Sequence, residues 1–232
     1  MSTYAWPQAA GWYPNRFEMR IVPNVLTFTS QYNKSQQVID LLGERWRIIM
    51  DLPDDNSSLL GGAREAFFDR LKGPLNYISI GHQVRRVPQG TMRDGAAVGT
   101  WTNNVGATGT WTNNVGATGT WTGGPPALRS ALAQLANIAT IQTVPYASLK
   151  AGDHVGLGAG GQLVRAMADA VAGSDGLLVF DFSPRARAAV PAYTAVVWNY
   201  PTATFRLVSD GVPVSWRPGA FSGSSLELIE VI

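Results

Sequence analysis

The sequence predicts a mainly β protein, built from short antiparallel strands with one short helix. Three observations predict it. Runs rich in β-branched and aromatic residues recur along the 232 residues, broken by Pro, Asn and Gly. Only one stretch has a clear helical period. Gly152-Asp153, Gly160-Gly161 and Asp175-Gly176 fall at hairpin spacing in the C-terminal half. The length suits one large all-β domain or two smaller ones, and a core of that size needs no disulfides.

The elements follow in order. FEMRIVPNVLTFTS, QQVIDLL and RWRIIMDL, between Phe17 and Leu52, read as three or four strands punctuated by Pro23, Asn33 and Gly43. SQQVIDLLGERWRIIMDL predicts a hairpin around Gly43, with Val38, Trp46 and Ile48 on its buried face. After the cap candidates Asn56, Ser57 and Ser58, the residues Leu59, Ala63, Ala66, Phe67 and Leu71 recur at helical spacing, so a helix is expected over 59–72, stopped by Gly73-Pro74. LNYISIGHQV then alternates as a strand. Beyond Pro125-Pro126, ALRSALAQLANI fits a short helix, while IATIQTV alternates. ASLKAGDHVGLGAGGQLVRAMADAVAGSDGLLVFDFSP reads as strands joined by tight turns, with VRAMADAVA the one part that also suits a helix. AYTAVVW, ATFRLVS and LELIEVI close the chain as strands, with Trp216 between the last two.

Residues 88–126 differ in kind. They hold GTWTNNVGATGTWTNNVGATGTWTGG, a ten-residue unit that occurs twice unchanged and then restarts. The unit has no charge, and its even period puts Trp101, Trp111 and Trp121 on one face of an extended ribbon that would span roughly 85 Å. Three rigid aromatic platforms, with Asn103, Asn104, Asn113 and Asn114 beside them, can stack on sugars, pack against another subunit or bury themselves in their own domain. An exposed ribbon of this kind calls for a cover, which another chain or another copy of this chain would supply.

Composition narrows the function. Net charge is +2 and the basic residues are scattered, so no nucleic-acid footprint is expected. All basic residues are Arg except Lys34, Lys72 and Lys150, a bias that fits protein interfaces and equally a GC-rich genome. No cysteine is present, which excludes disulfides, thiolate metal sites and cysteine nucleophiles. With no long apolar run and no signal-peptide pattern at the start, the chain is expected to be soluble and unexported, without membrane insertion.

The chemistry-bearing residues do not assemble into a catalytic pattern. His82 and His154 lack any partner at ligand spacing. Asp54 and Asp55 precede the helix and suit capping and dipole complementation. Glu65 and Asp69 share a helical face with Arg64 and Lys72 nearby, as a solvated surface would. GLGAGG at 156–161 lacks the βαβ setting of a phosphate loop and reads as a hairpin turn. No catalytic residue, metal or cofactor is therefore expected.

The phrases ERWRIIMDLP, AREAFFDRLKG running into a strand, VPQG, LKAGDHVGLG, GQLVRAMADAVAGSDGLLVFDFSPRAR and SLELIEVI, in that order, resemble a group of tailed-bacteriophage virion proteins encoded among tail-tip genes, similar in plan to distal tail proteins. The resemblance covers the chain from about Phe17 but not the repeat. It implies an antiparallel β-sandwich or split barrel with one short helix, and a second, smaller β-barrel module. The ring-forming module would be 1–87 plus 201–232, with the repeat loop at 88–126 and the inserted module at 127–200. It also implies a non-enzymatic structural protein in a homo-oligomeric ring. Made in the host cytoplasm and carried in the virion, it would contact other copies of itself, the tail tube protein and tail hub or fibre proteins. Arg16, Arg20, Arg45, Arg47 and Arg85 would supply inter-subunit ion pairs. A carbohydrate-binding adhesin using the Trp repeat is the alternative, and a hydrolase is disfavoured by the missing acid–base pair.

The repeat separates these readings. Deleting residues 109–118 keeps strand phase and shortens an extended ribbon by roughly 33 Å, at a closure cost of about 1 kcal/mol or less. The melting temperature should not change. If the repeat is an assembly latch, electron microscopy should show tails lost; if it binds sugar, tails should form and adsorb weakly.

Overall fold

The computed structural model describes residues 1–92, 126–158, 162–217, 220–221 and 223–231. In chain order the elements are β1 (Thr3–Ala5), β2 (Arg16–Val22), β3 (Val25–Thr29), β4 (Gln36–Asp40), β5 (Arg45–Asp51), α1 (Ser58–Leu71) and β6 (Tyr77–Gly81). Then come β7 (Ala127–Leu128), β8 (Ile138–Gln142), β9 (Ser148–Leu149), β10 (His154–Leu157), β11 (Gln162–Ala166), β12 (Ala170–Val171), β13 (Leu177–Ser183) and β14 (Val196–Val197). The chain ends with β15 (Thr202–Leu207), β16 (Trp216–Arg217), β17 (Ala220–Phe221) and β18 (Ser225–Glu230). The fold is mainly β, with one α-helix among the described residues. That helix is neither long nor apolar enough to cross a membrane.

Alternation drives the two large sheets. The first has the order β1-β6-β15-β18-β5-β2 and is antiparallel except where β1 runs parallel to β6. Its inner face carries Trp46, Ile48, Met50, Ile78, Ile80, Phe205 and Leu228, all fully buried. Phe68 and Leu71 of α1 join this core, and Trp6, Trp12 and Phe67 pack edge to face beside them. The second sheet has the order β14-β10-β11-β13-β8-β7. Its two edges meet through a bridge between Ala127 and Ala195, and the Leu128 amide donates to the Thr194 carbonyl at 2.9 Å. The result is a nearly closed barrel around Ile141, Leu157, Val164 and Leu178.

Several expectations are corrected. β5 does not pair with β4 across Gly43; it pairs with β2, from Arg16↔Asp51 to Val22↔Arg45. β4 pairs instead with β3, and Val38 is 60% exposed. The chain reverses at Ser30–Ser35, where Lys34 takes a positive φ of 57° and its amide donates to the Ser30 carbonyl. Gly43, at φ 108°, marks a bend at the base of the long hairpin rather than its turn. The helix has its N-cap at Ser57, whose side chain accepts from the Leu60 amide, and ends at Lys72 in the left-handed conformation before Gly73. Its buried face is Gly61, Arg64, Phe68 and Leu71, while Leu59 is 84% exposed. Arg64 is accommodated because its guanidinium donates to the carbonyls of Pro53 and Gly11. Asp55 accepts from the Ser57 amide and Asp54 from the Gly223 amide, so neither caps the helix directly. ALRSALAQLANI forms β7 and a connection, with no helix, and VRAMADAVA divides between β11 and β12.

The sheets meet at Trp46. Its amide donates to Glu230 Oε2 at 2.9 Å, and its indole Nε1 donates to the Leu163 carbonyl on the barrel at 2.7 Å. Arg187, from the barrel side, ion-pairs with the same Glu230 oxygen. Ser183 Oγ donates to Glu44 Oε2 at 3.2 Å. Trp46→Ala should therefore destabilise the protein by about 3–5 kcal/mol. Glu230→Ala, which strands the Arg187 charge, should cost about as much. Guanidinium denaturation of both variants checks this, and wild-type midpoints would contradict the seam.

Candidate assembly interface

Beyond Val22 and Arg45 the β2–β5 hairpin continues outward as a two-stranded arm, β3 and β4. Pro23 brings no amide donor to the junction, and Asn24 restores the pairing: its carbonyl accepts from the Leu41 amide and its side chain donates to the Leu42 carbonyl. Five residue pairs give the arm a reach of about 17 Å.

The register decides what the arm presents. Leu26 lies opposite Ile39 and Phe28 opposite Gln37, so Leu26, Phe28 and Ile39 share one face. Val25, opposite Asp40, and Val38, opposite Thr27, occupy the other. Every residue of both strands is exposed, Phe28 at 54%, and Tyr32 at the tip is 100% exposed. Lys34 and Asp40 are the only charges from Pro23 to Leu42. Solvated strands of monomeric proteins ordinarily alternate apolar with polar faces and protect their edges with charge. The face of Leu26, Phe28 and Ile39 is apolar but for Gln37, the other mixes Val25 and Val38 with Thr27, Thr29, Gln36 and Asp40, and neither face is buried among the described residues. Its root is tied to the barrel, where Arg185 Nη2 stands 3.9 Å from Asp40.

Four of the five arginines singled out in the sequence come together beside the arm. Arg16 and Arg20 on β2, with Arg45 and Arg47 on β5, share the outer face of the first sheet, and pairing through Ile229 brings Arg206 of β15 into the same row. Glu18, Asp51 and Glu227 share that face, leaving more guanidinium than carboxylate. Arg16 lies 3.5 Å from Glu18 and 3.9 Å from Asp51, Arg20 lies 3.7 Å from Glu18, and Arg47 lies 2.5 Å from Glu227. These arginines thus have partners within the chain. Arg85 is elsewhere, beyond β6, donating to the Gly152 carbonyl at 3.4 Å. Trp101, Trp111, Trp121, Asn103, Asn104, Asn113 and Asn114 lie outside the described residues.

The histidines, separated by 72 positions, face each other with ring centroids 4.9 Å apart, a juxtaposition that local spacing does not signal. Burial, then Arg85 and Arg165, pushes His82 down to about 4. Burial, then His82 and the same arginines, pushes His154 down to about 3. No group of three or more metal-ligating side chains occurs among the described residues. At the seam, burial pushes Glu230 up to about 7 against the pull of Arg187 and the Trp46 amide.

No protein-family model matches the chain, and no curated protein matches it.

These shifts fix the sign of the pH response. Below about 6.5 the unfolded chain protonates both histidines while the folded chain leaves them neutral, so their contribution to stability falls as pH drops toward their folded values. Glu230 acts oppositely between about 4.5 and 7, because there the folded chain holds the extra proton. Replacing His154 with Gln should remove up to about 1.4 kcal/mol per pH unit of the acid-side loss. Urea unfolding at about pH 7.5 and about pH 5.5 should show the variant's deficit relative to wild type shrinking in acid; a constant deficit would contradict this.

Proposed function

We propose that the chain is a non-enzymatic structural component of a phage tail tip, similar in plan to distal tail proteins. It builds a homo-oligomeric ring joining the tail tube to the host-recognition apparatus. The observation that carries this reading is the β3–β4 arm, whose apolar face of Leu26, Phe28 and Ile39 is exposed in the described structure. An exposed apolar face of this kind calls for a partner surface to cover it. A ring of identical copies meets that need, because head-to-tail contacts lay each arm on the next subunit. The open strand edges add backbone pairing to the contact. The arginine face, largely neutralised within the chain, frames the arm as a polar rim.

In this assembly the Trp repeat serves as a second latch, between subunits or to the adjoining ring. The resemblance in the order of strand and turn phrases supports placement among tail-tip proteins, with the chain made in the host cytoplasm and carried in the virion.

The test is the triple substitution Leu26→Ser, Phe28→Ser and Ile39→Ser. All three side chains are exposed, so stability should stay within about 1 kcal/mol of wild type. Mass photometry should find the wild type oligomeric and the variant monomeric, and the variant should not enter particles. An unchanged oligomer, or a variant that unfolds because the arm belongs to its own core, would overturn the reading.

A further inference from the structure

Where the first sheet meets the barrel, a cavity of about 480 Å³ opens between Met19, His82 and Arg85 on one side and His154, Arg165 and Met167 on the other. No carboxylate lines it. Asp153, adjacent in sequence, is turned away: its oxygens accept from the amides of Gln89 at 2.8 Å, Gly90 at 3.3 Å and Lys150 at 2.8 Å. Arg165 has no acidic partner within salt-bridge distance among the described residues, and its guanidinium carbon stands 5.5 Å from the centroid of the Trp46 ring. Arg85 reaches the cavity over Gly152, at φ 91°, where an added Cβ would collide with the guanidinium.

One imidazole of the pair fits the same ligand. His82 Nδ1 accepts from the amides of Val84 at 3.2 Å and Arg85 at 2.9 Å, which leaves the proton on Nε2 and makes that atom a donor. His154 is 6% exposed, and its Nδ1 is buried with no hydrogen-bond partner. That atom is closed off from the cavity as well as from solvent, so His82 Nε2 is the imidazole atom left to donate to an occupant. Two guanidinium groups repel a metal cation, and two imidazoles make an incomplete set for one. The same guanidinium groups offer planar N–H forks to oxygens that share a negative charge.

We propose that this cavity is an oxyanion-binding site, in which Arg165 and Arg85 hold a carboxylate or phosphate group and His82 Nε2 donates to it. The two groups share one chemistry, and the test distinguishes them. Since the walls come from both the first sheet and the barrel, an occupant fastens the two together and stabilises the folded chain by an amount that grows with the logarithm of its concentration over Kd.

The experiment uses the full chain at about pH 7.5, with glutarate and inorganic phosphate titrated separately against sodium chloride at matched ionic strength. Calorimetry and melting temperature are the readouts. Saturable binding of at least one probe is expected, with a rise in melting temperature beyond that in chloride. Arg85→Gln and Arg165→Gln should each weaken binding at least tenfold. Arg165 also packs on Trp46, so Arg85→Gln, at an exposed position, keeps the test decisive if the other variant folds poorly. Preference for glutarate assigns the site to a carboxylate, and preference for phosphate to a phosphate; both support the proposal. Absence of saturable binding by either probe, or binding that Arg85→Gln leaves unchanged, overturns it.

Discussion

The relative placement of the two sheets is constrained at Trp46, whose two N–H groups are satisfied in different places. The amide is held by Glu230 in the first sheet and the indole by Leu163 in the barrel. Both donors are buried, and a buried donor without an acceptor costs about 1–3 kcal/mol, so sliding one sheet along the other is penalised even where apolar contact would tolerate it. The Arg187–Glu230 pair sharpens the same constraint. It is a poor source of net stability, since burial opposes the charge on both members and Arg187 Nε and Nη1 have no partners. Its value is geometric: only one docking brings the guanidinium to the carboxylate.

That docking also fixes the arm. β2 and β5 leave the sheet at Val22 and Arg45, one residue from Trp46, and Asp40 at the arm's root faces Arg185 of the barrel side. The arm is therefore an outgrowth of the seam with a set direction. In the proposed assembly, a paired arm of this kind would lose less conformational entropy on association than a flexible tail. The proposed oxyanion cavity shares the seam, with Arg165 stacked on the other side of the problem, against Trp46 itself.

The sequence revealed faces well and partners poorly. Alternation in RWRIIMD correctly gives Trp46 and Ile48 as buried residues of β5, and Ser57 and Gly73 frame the helix as their chemistry requires. Alternation in QQVID is just as clean, yet Val38 points to solvent, because period two records which residues share a face and not what that face meets. The pairing of β5 with β2 rather than β4 depends on a reversal at Ser30–Ser35 that outranks the glycine at 43. In α1 the apolar stripe Leu59, Ala63 and Ala66 competes with a second stripe through Gly61 and Phe68. The second is buried because Phe68 and Leu71 join the core, and it can carry Arg64 because the guanidinium finds two backbone carbonyls that only the folded chain assembles. The His82–His154 contact was invisible for the same reason: tertiary structure alone makes it.

The arginine face changes what an assembly can draw from charge. Arg16, Arg20 and Arg47 are paired within the chain, at exposed or half-exposed positions, and such pairs contribute about 0–1 kcal/mol each. A partner that took one of these arginines would have to release its present carboxylate, so the exchange yields little affinity. What the face can provide is orientation, since its surplus of guanidinium, including Arg45 and Arg206, favours an approaching acidic surface over a basic one. Affinity must then come from area removed from water. In the described structure that area is concentrated on Leu26, Phe28, Val38 and Ile39, where burial on association contributes about 25 cal/mol per Å². In the proposed assembly, charge would select the direction of approach and the apolar face of the arm would supply the affinity.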